Sequence, residues 1–342
     1  MAGESEPVLI WGAGAIGGTI GAFLTRAGFD VTLVDAVAGH VDAMNAKGLT
    51  ITGPVDAFTI PVRAVTPDQV RGTWRCVLLC VKGQDTRTAT GMIKPHLAAD
   101  GYVASIQNGL NEAAIAAIVG PQRTIGAFIN FDADYHGPGE IHFGGRSSVV
   151  VGEIDGVMRP RVRELAAMLQ RFEPDAIATG NIQGFLWSKL AYLSLLWANV
   201  LVEAELPEVF GSTTYRPLLT GLTREVIRIA ERRGIALEAF DPFDPRGFMR
   251  GSTAADTDRG FERLVENRVK SAKKHSGMWR DLAVRKRKTE ADTLLVPMLE
   301  AAQAEGIATP LNSAMLAMVR ELESGTRRQG WSNFDELAAL MR

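Results

Sequence analysis

Val8-Leu9-Ile10-Trp11, followed by Gly12-Ala13-Gly14-Ala15-Ile16-Gly17-Gly18, reads as a buried strand that runs into a glycine-rich turn. Glycines at 12, 14 and 17 make the G-x-G-x-x-G spacing. Each has its own task. Gly12 permits the tight turn, Gly14 lets the backbone approach a pyrophosphate, and Gly17 lets the next helix pack close to the sheet. The first amides of that helix, aided by its dipole, then face the phosphate anions. Gly12, Ala13, Gly14, Ala15, Ile16 and Gly17 are therefore the candidate phosphate cradle.

Glycine-rich turns are common, so the surroundings of this one matter. A helical stretch over 18–27 ends at Gly28, a C-cap residue. The strand Val31-Thr32-Leu33-Val34 follows, with Asp35 at its end. Asp35 lies eighteen residues after Gly17, where a carboxylate receives ribose hydroxyls. Strand, loop, helix, strand and acid together predict a βαβ unit that binds a dinucleotide.

Alternation of short apolar strands with helical patterns continues to about residue 183, as a parallel sheet requires. Strands are expected at 76–81, 102–106 and 124–128, and helices at 40–47, 86–96, 112–119 and 161–171. Leu49-Thr50-Ile51 and Phe58-Thr59-Ile60 suggest a hairpin around Gly53-Pro54. A second hairpin is expected to join 141–143 to 148–151 through Gly144-Gly145, and 176–178 to close the sheet. From about Gly184 the strand runs vanish, and helices are expected at 185–205, 217–233, 258–274, 289–305 and 313–324. The expected fold class is α/β: an N-terminal Rossmann-type dinucleotide-binding domain over 1–183, then an all-helical C-terminal domain over 184–342 for substrate binding and dimerisation. The substrate is expected in the cleft between them.

Composition narrows the partners. A net charge of −2 argues against nucleic acid or a membrane surface as a partner. The basic run Arg285-Lys286-Arg287-Lys288 is therefore read as a solvated helix start or loop. Cys76 and Cys80 have no metal-ligand spacing and read as core thiols in a reducing compartment. No metal site is expected. The N-terminus lacks a basic start and an apolar signal core, so a cytoplasmic protein is expected. The apolar run from Leu190 to Val202 has thirteen residues, short of the roughly 20 that span a bilayer, and reads as a buried core helix.

A dinucleotide domain does not reveal a reaction. Polar residues placed oddly among apolar ones are better guides. Lys189 opens an apolar helix after Phe185-Leu186-Trp187, where it could protonate a carbonyl that receives a hydride, or simply extend its ammonium to water. Glu290 could bind a substrate hydroxyl or pair with a lysine, or act only as an acid in a first helical turn. Lys82 and Asn108 each follow a parallel strand, at the carboxyl edge where cofactors and substrates bind. His142 and His275 read as structural.

These residues resemble the ketopantoate reductase (2-dehydropantoate 2-reductase) family along nearly the full length. The resemblance rests on the glycine loop, Val81-Lys82, Gln107-Asn108-Gly109-Leu110-Asn111-Glu112 and Gly137-Pro138-Gly139-Glu140-Ile141. It continues through Trp187-Ser188-Lys189-Leu190-Ala191, and Arg280-Asp281-Leu282 leading to Thr289-Glu290-Ala291-Asp292. It implies that Lys189 hydrogen-bonds the keto oxygen and donates the proton as hydride arrives from NAD(P)H. It implies that Glu290 fixes the substrate or the lysine, and that Lys82 and Asn108 lie at cofactor and substrate. A homodimer and a small-molecule 2-oxo acid are the partners it implies.

The chain also departs from the family. The family's asparagines four and eight residues after the lysine are Leu193 and Trp197 here, and Asn199 lies on another helix face. The asparagine-glycine pair after the family glutamate is Leu295-Val296, and the family's substrate serine falls near Ser276 or Gly277. Trp197 and Ser276 are therefore candidate substrate contacts in a less polar pocket, suited to a bulkier 2-oxo acid or related ketone. The family arginine after the second strand is Ala36, preceded by Asp35. A carboxylate there repels a 2′-phosphate, which favours NADH, unless Arg26 or His40 supplies the missing cation. The competing readings are a dehydrogenase of another secondary alcohol, an opine-type imine reductase, and a non-catalytic dinucleotide sensor.

Overall fold

A strand covered on both faces needs apolar residues at every position, and β1 (Val8–Trp11) has them. Ile10 enters one core while Leu9 and Trp11 enter the core on the opposite face. The computed structural model that contains it describes residues 6–271 and 273–341. Contacts divide the chain into two compact units, one ending at Ile182 and the other starting at Gln183.

In the first unit β1 is followed by α1 (Ala15–Arg26), β2 (Val31–Val34), α2 (Ala38–Lys47), β3 (Leu49–Thr52), β4 (Phe58–Ile60) and β5 (Arg63–Val65). Then come β6 (Trp74–Leu79), α3 (Thr86–Ile93), β7 (Leu97–Ser105), α4 (Glu112–Val119) and β8 (Thr124–Ile129). The unit ends with β9 (Asp132–Gly137), β10 (Glu140–Gly145), β11 (Val149–Glu153), α5 (Pro160–Leu169) and β12 (Ile177–Ala178). Eight strands form one sheet in the order β12-β11-β8-β7-β6-β1-β2-β5. It is parallel from β8 to β5, and β11 pairs antiparallel with β8. Parallel order brings the loops after β1, β2, β6 and β7 to one edge, which builds the site.

The hairpin of β3 and β4 forms as expected, with Leu49 opposite Ile60. The expected hairpin across Gly144-Gly145 does not. β10 instead pairs antiparallel with β9 and parallel with β3, in a separate sheet of order β4-β3-β10-β9, while β11 joins the main sheet. The turn is at Pro138-Gly139, where Gly139 has φ +76°. β9 reads Asp-Ala-Asp-Tyr-His-Gly, an edge strand too polar to show an apolar alternation, so the sequence pattern alone pairs β10 with β11 instead. The short edge strand β5 escaped the pattern for lack of length.

The second unit is helical: α6 (Ile182–Val200), α7 (Leu206–Gly211), α8 (Arg216–Arg232), α9 (Ala254–Lys270), α10 (Gly277–Ala283), α11 (Ala291–Ala304), α12 (Pro310–Ser324) and α13 (Ser332–Ala339). α9 begins four residues before expectation because Thr253 and Asp256 form a reciprocal capping box. α12 starts early because Pro310 occupies its first turn and buried Glu225 accepts from the amides of Leu311 and Asn312 (3.0 and 2.9 Å). α7, α10 and α13 are too short to show a helical period. The run at 285–288 is an exposed connection, with Arg285 and Arg287 both paired to Asp281. Among the described residues no helix is long and apolar enough to cross a membrane.

Candidate active site

Sterics fix the glycine loop. Gly12 has φ +101°, and a Cβ there would lie 2.8 Å from the Val81 amide nitrogen. A Cβ on Gly17 would lie 2.0 Å from the Gly12 carbonyl oxygen. At Gly14 a Cβ would meet no atom within 4 Å, so this turn faces open space. Gly14 is also the N-cap of α1, without a side-chain cap and without an acid in the first turn. The amides there keep their positive end for an anion, so the loop fits a pyrophosphate.

Residue 13 is pinned on both sides. Its amide donates to Asp35 Oδ2 (3.0 Å), and its carbonyl accepts from His40 Nε2 (2.9 Å). His40 Nδ1 accepts from the Gly139 amide (2.9 Å), which fixes the tautomer with its hydrogen on Nε2. Asp35 Oδ1 accepts from the Val37 amide (2.9 Å). Each carboxylate oxygen therefore keeps a lone pair for a ribose hydroxyl.

Both candidate cations for a 2′-phosphate have partners within the protein. His40 is buried and both its nitrogens are engaged within the protein. Arg26 ends α1, about 18 Å along the helix from Gly14 at 1.5 Å per residue. There it pairs with Asp56 (2.7 Å) and lies over the Phe58 ring. Beside Ala36 an open cleft of about 650 Å³ is lined by Thr66, Val70, Arg71, Met92 and His96. Arg71 Nη1 there donates to the carbonyls of Asp68 and Val70.

Lys82 and Asn108 are exposed in the loops after β6 and β7. Beneath them lies a buried polar group: Gln107, Asn111 and Glu112 from the stretch that carries the resemblance, together with Thr86 and Ser105, which residue order does not connect to them. Burial pushes the Glu112 carboxyl up to about 7, against a hydrogen bond from Ser105 that lowers it. The sign in the sequence is the density of polar residues from Ser105 to Glu112.

In the second unit Lys189 lies within α6 and is 9% exposed. Burial pushes its ammonium down to about 7. An amine that loses its proton near neutrality suits proton transfer to a developing alkoxide. Leu193 and Trp197 stand about 40° and about 80° around the helix from it. Both are buried, and the Trp197 indole nitrogen has no hydrogen-bond partner among the described residues. Asn199 is structural: it donates to the Ala204 carbonyl (2.7 Å) and accepts from the Ser276 amide (3.3 Å). Ser276 is buried and caps α10, accepting from the Trp279 amide (3.1 Å). Glu290 is half-buried at the N-cap of α11. Of the two histidines read as structural, His275 stacks on Trp279 at 3.7 Å and His142 on His136 at 5.0 Å.

Comparison with known proteins follows the same division. The family model "Ketopantoate reductase PanE/ApbA" matches residues 8–156, and "Ketopantoate reductase PanE/ApbA C terminal" matches 181–323. A 2-dehydropantoate 2-reductase of Pyrococcus horikoshii is 27% identical over 324 residues, 93% of this chain and 97% of the relative. The crystal structure of a PanE/ApbA family ketopantoate reductase from Ralstonia eutropha JMP134 is 26% identical, with a TM-score of 0.78 over 94% of this chain and 100% of that one. A D-mandelate dehydrogenase solved with NADH and anilino(oxo)acetate, 20% identical, shares the fold at a TM-score of 0.81, over 93% of this chain and 99% of its own. The glycine loop falls in the first match and the lysine-bearing helix in the second. This chain belongs to the ketopantoate reductase family and is an oxidoreductase that uses a nicotinamide dinucleotide.

Proposed function

We propose that this enzyme reduces the keto group of a 2-oxo acid bulkier and less polar than ketopantoate, with Lys189 as proton donor and NADH as the preferred cofactor. The observation that carries the reading is Lys189 itself, an amine buried in an apolar helix with its proton affinity lowered to about 7. When bound, the nicotinamide supplies the hydride that reaches the keto carbon. Lys189 hydrogen-bonds the keto oxygen through Nζ and gives it a proton as negative charge develops, leaving a 2-hydroxy acid and a neutral amine. Burial keeps water away from this transfer. Glu290 and Ser276 orient the substrate, and Leu193 with Trp197 makes its wall apolar.

On the cofactor side, residues 12–17 receive the pyrophosphate, Asp35 the adenosine ribose, and Lys82 and Asn108 the nicotinamide half. The cleft beside Ala36 suits the adenine. The reading extends to a cytoplasmic homodimer, which light scattering of the purified protein checks. An absorbance assay crossing NADH and NADPH with ketopantoate and a panel of 2-oxo acids tests the whole. Faster turnover of apolar 2-oxo acids with NADH is expected, with NADPH weaker by about tenfold or more from like-charge repulsion at Asp35. Ketopantoate turnover equal to the best substrate in the panel overturns the substrate assignment.

A further inference from the structure

The polar group under the nucleotide loops is a continuous chain of hydrogen bonds. Gln107 Nε2 donates to the Val81 carbonyl (2.9 Å) and to Thr86 Oγ1 (2.8 Å). Thr86 Oγ1 donates to Asn111 Oδ1 (3.2 Å), and Asn111 Nδ2 donates to the Asn108 carbonyl (2.7 Å). The two backbone carbonyls at the ends can only accept, so both amide side chains have one possible orientation. Ser105 Oγ lies 3.4 Å from Gln107 Oε1 and also beside the Glu112 carboxyl, so its single hydrogen is shared between the end of the chain and Glu112. Thr86, Ser105, Gln107, Asn111 and Glu112 are all buried.

The ends of this chain are what give it a role. Val81 precedes exposed Lys82, and its backbone is also the surface against which Gly12 packs. Asn108 is itself exposed in the next loop. The loops after β1, β6 and β7 are thus tied together beneath the surface that faces the ligand. We propose that Thr86, Gln107 and Asn111 are positioning residues for the dinucleotide, locking the Lys82 and Asn108 loops into one register before the cofactor arrives. A pre-set register spares binding the cost of ordering two loops. The proposal rests on the reading of Lys82 and Asn108 as cofactor contacts.

Threonine and valine have the same shape, so Thr86→Val removes the middle of the chain without opening a cavity, while Thr86→Ser keeps the hydroxyl. Purified full-length variants are titrated with NADH by its fluorescence, and steady-state kinetics are run alongside. Thr86→Val is expected to weaken NADH binding about tenfold, the effect of a lost buried hydrogen bond. KM for NADH rises with it, while kcat at saturating NADH falls by less than threefold. Thr86→Ser stays within about twofold of the parent. Gln107→Met breaks the same chain from its other member and carries the test if Thr86→Val does not fold. Because the links act as one unit, the double variant binds no more weakly than the worse single variant. Parent-like NADH affinity in Thr86→Val, or an equal loss in Thr86→Ser, overturns the proposal. Lys82→Ala and Asn108→Ala separate it from the reading beneath it. If both bind NADH normally, that reading fails and the proposal falls with it. If both bind weakly while Thr86→Val binds normally, the proposal alone fails.

Discussion

Glu112 in the first unit and Lys189 in the second are each buried, and burial moves both toward the same value, about 7, from opposite sides. One physical cause acts on both, because desolvation favours the neutral form. For the carboxyl that means holding a proton it would ordinarily lose, and for the amine losing one it would ordinarily hold. The surroundings set what each group can do. Glu112 opens a helix and lies beside Ser105, at the edge of a ladder of hydroxyls and amides that ends on backbone. Lys189 stands in a helix rich in tryptophan, leucine and alanine, and in the proposed reading a substrate oxygen receives its proton. A perturbed value alone does not mark a catalytic group; what the group can reach does.

The largest expected effect separates the two most sharply. Lys189→Ala should lower kcat by about a thousandfold, the scale of a lost general acid, while NADH titration stays near the parent. Glu112→Gln should leave kcat within about threefold. Equal losses in the two variants would break the distinction.

Stability gives the next effect. The folded-state pKa of Lys189 lies below its unfolded value of 10.5, so the unfolded chain binds more protons between about 7 and 10.5. The stability tied to this amine is present above that window and is lost as pH falls through it. Lys189→Met removes the charged group from its apolar surroundings and should raise stability at pH 7 by about 1 to 4 kcal/mol, read by urea denaturation. A destabilised Lys189→Met would mean that the amine is held by more than its burial.

Activity should follow the same titration. With Lys189 as the proposed donor, reduction needs the protonated amine, so kcat/KM for the keto acid should fall up to about tenfold per pH unit above about 7, while oxidation of the hydroxy acid gains over that range. A reduction profile flat from pH 6 to 9 would remove Lys189 from the proton transfer.

How much of this could be read from residue order depended on the range of the interaction. The glycine loop, β2 and Asp35 are legible because each acts within about 30 residues and by spacing. Lys189 was legible as a cation among apolar neighbours. β9 was not, because a polar edge strand carries no period, and the false hairpin followed from it. His40 reaches Gly139 across 99 residues, and Gln107 reaches Val81 and Thr86 across 26 and 21. Such pairs leave no local signature. For the same reason residue order leaves His40 open as a cation for a 2′-phosphate, whereas its Nε2 braces the glycine loop and its Nδ1 the turn at Gly139.

Glu112 provides the smallest effect and the mirror test of Lys189. Its folded-state pKa lies above its unfolded value of 4.5, so the folded chain binds the extra proton between about 4.5 and 7. The stability tied to this carboxyl is full below that window and is lost as pH rises through about 7. The two buried groups therefore cost the fold most at the same pH, near neutrality, although one titrates in the acid direction and the other in the basic. Glu112→Gln cannot ionise, so its stability should gain on the parent as pH rises from 5 to 8, by up to about 2.5 kcal/mol, the linkage over that range of a shift from 4.5 to about 7. Lys189→Met should gain on the parent as pH falls from 10 to 7. Opposite slopes in the two difference curves are the signature of one desolvation acting on two charge types. Slopes of the same sign would mean that neighbouring charges, and not burial, set one of the two values.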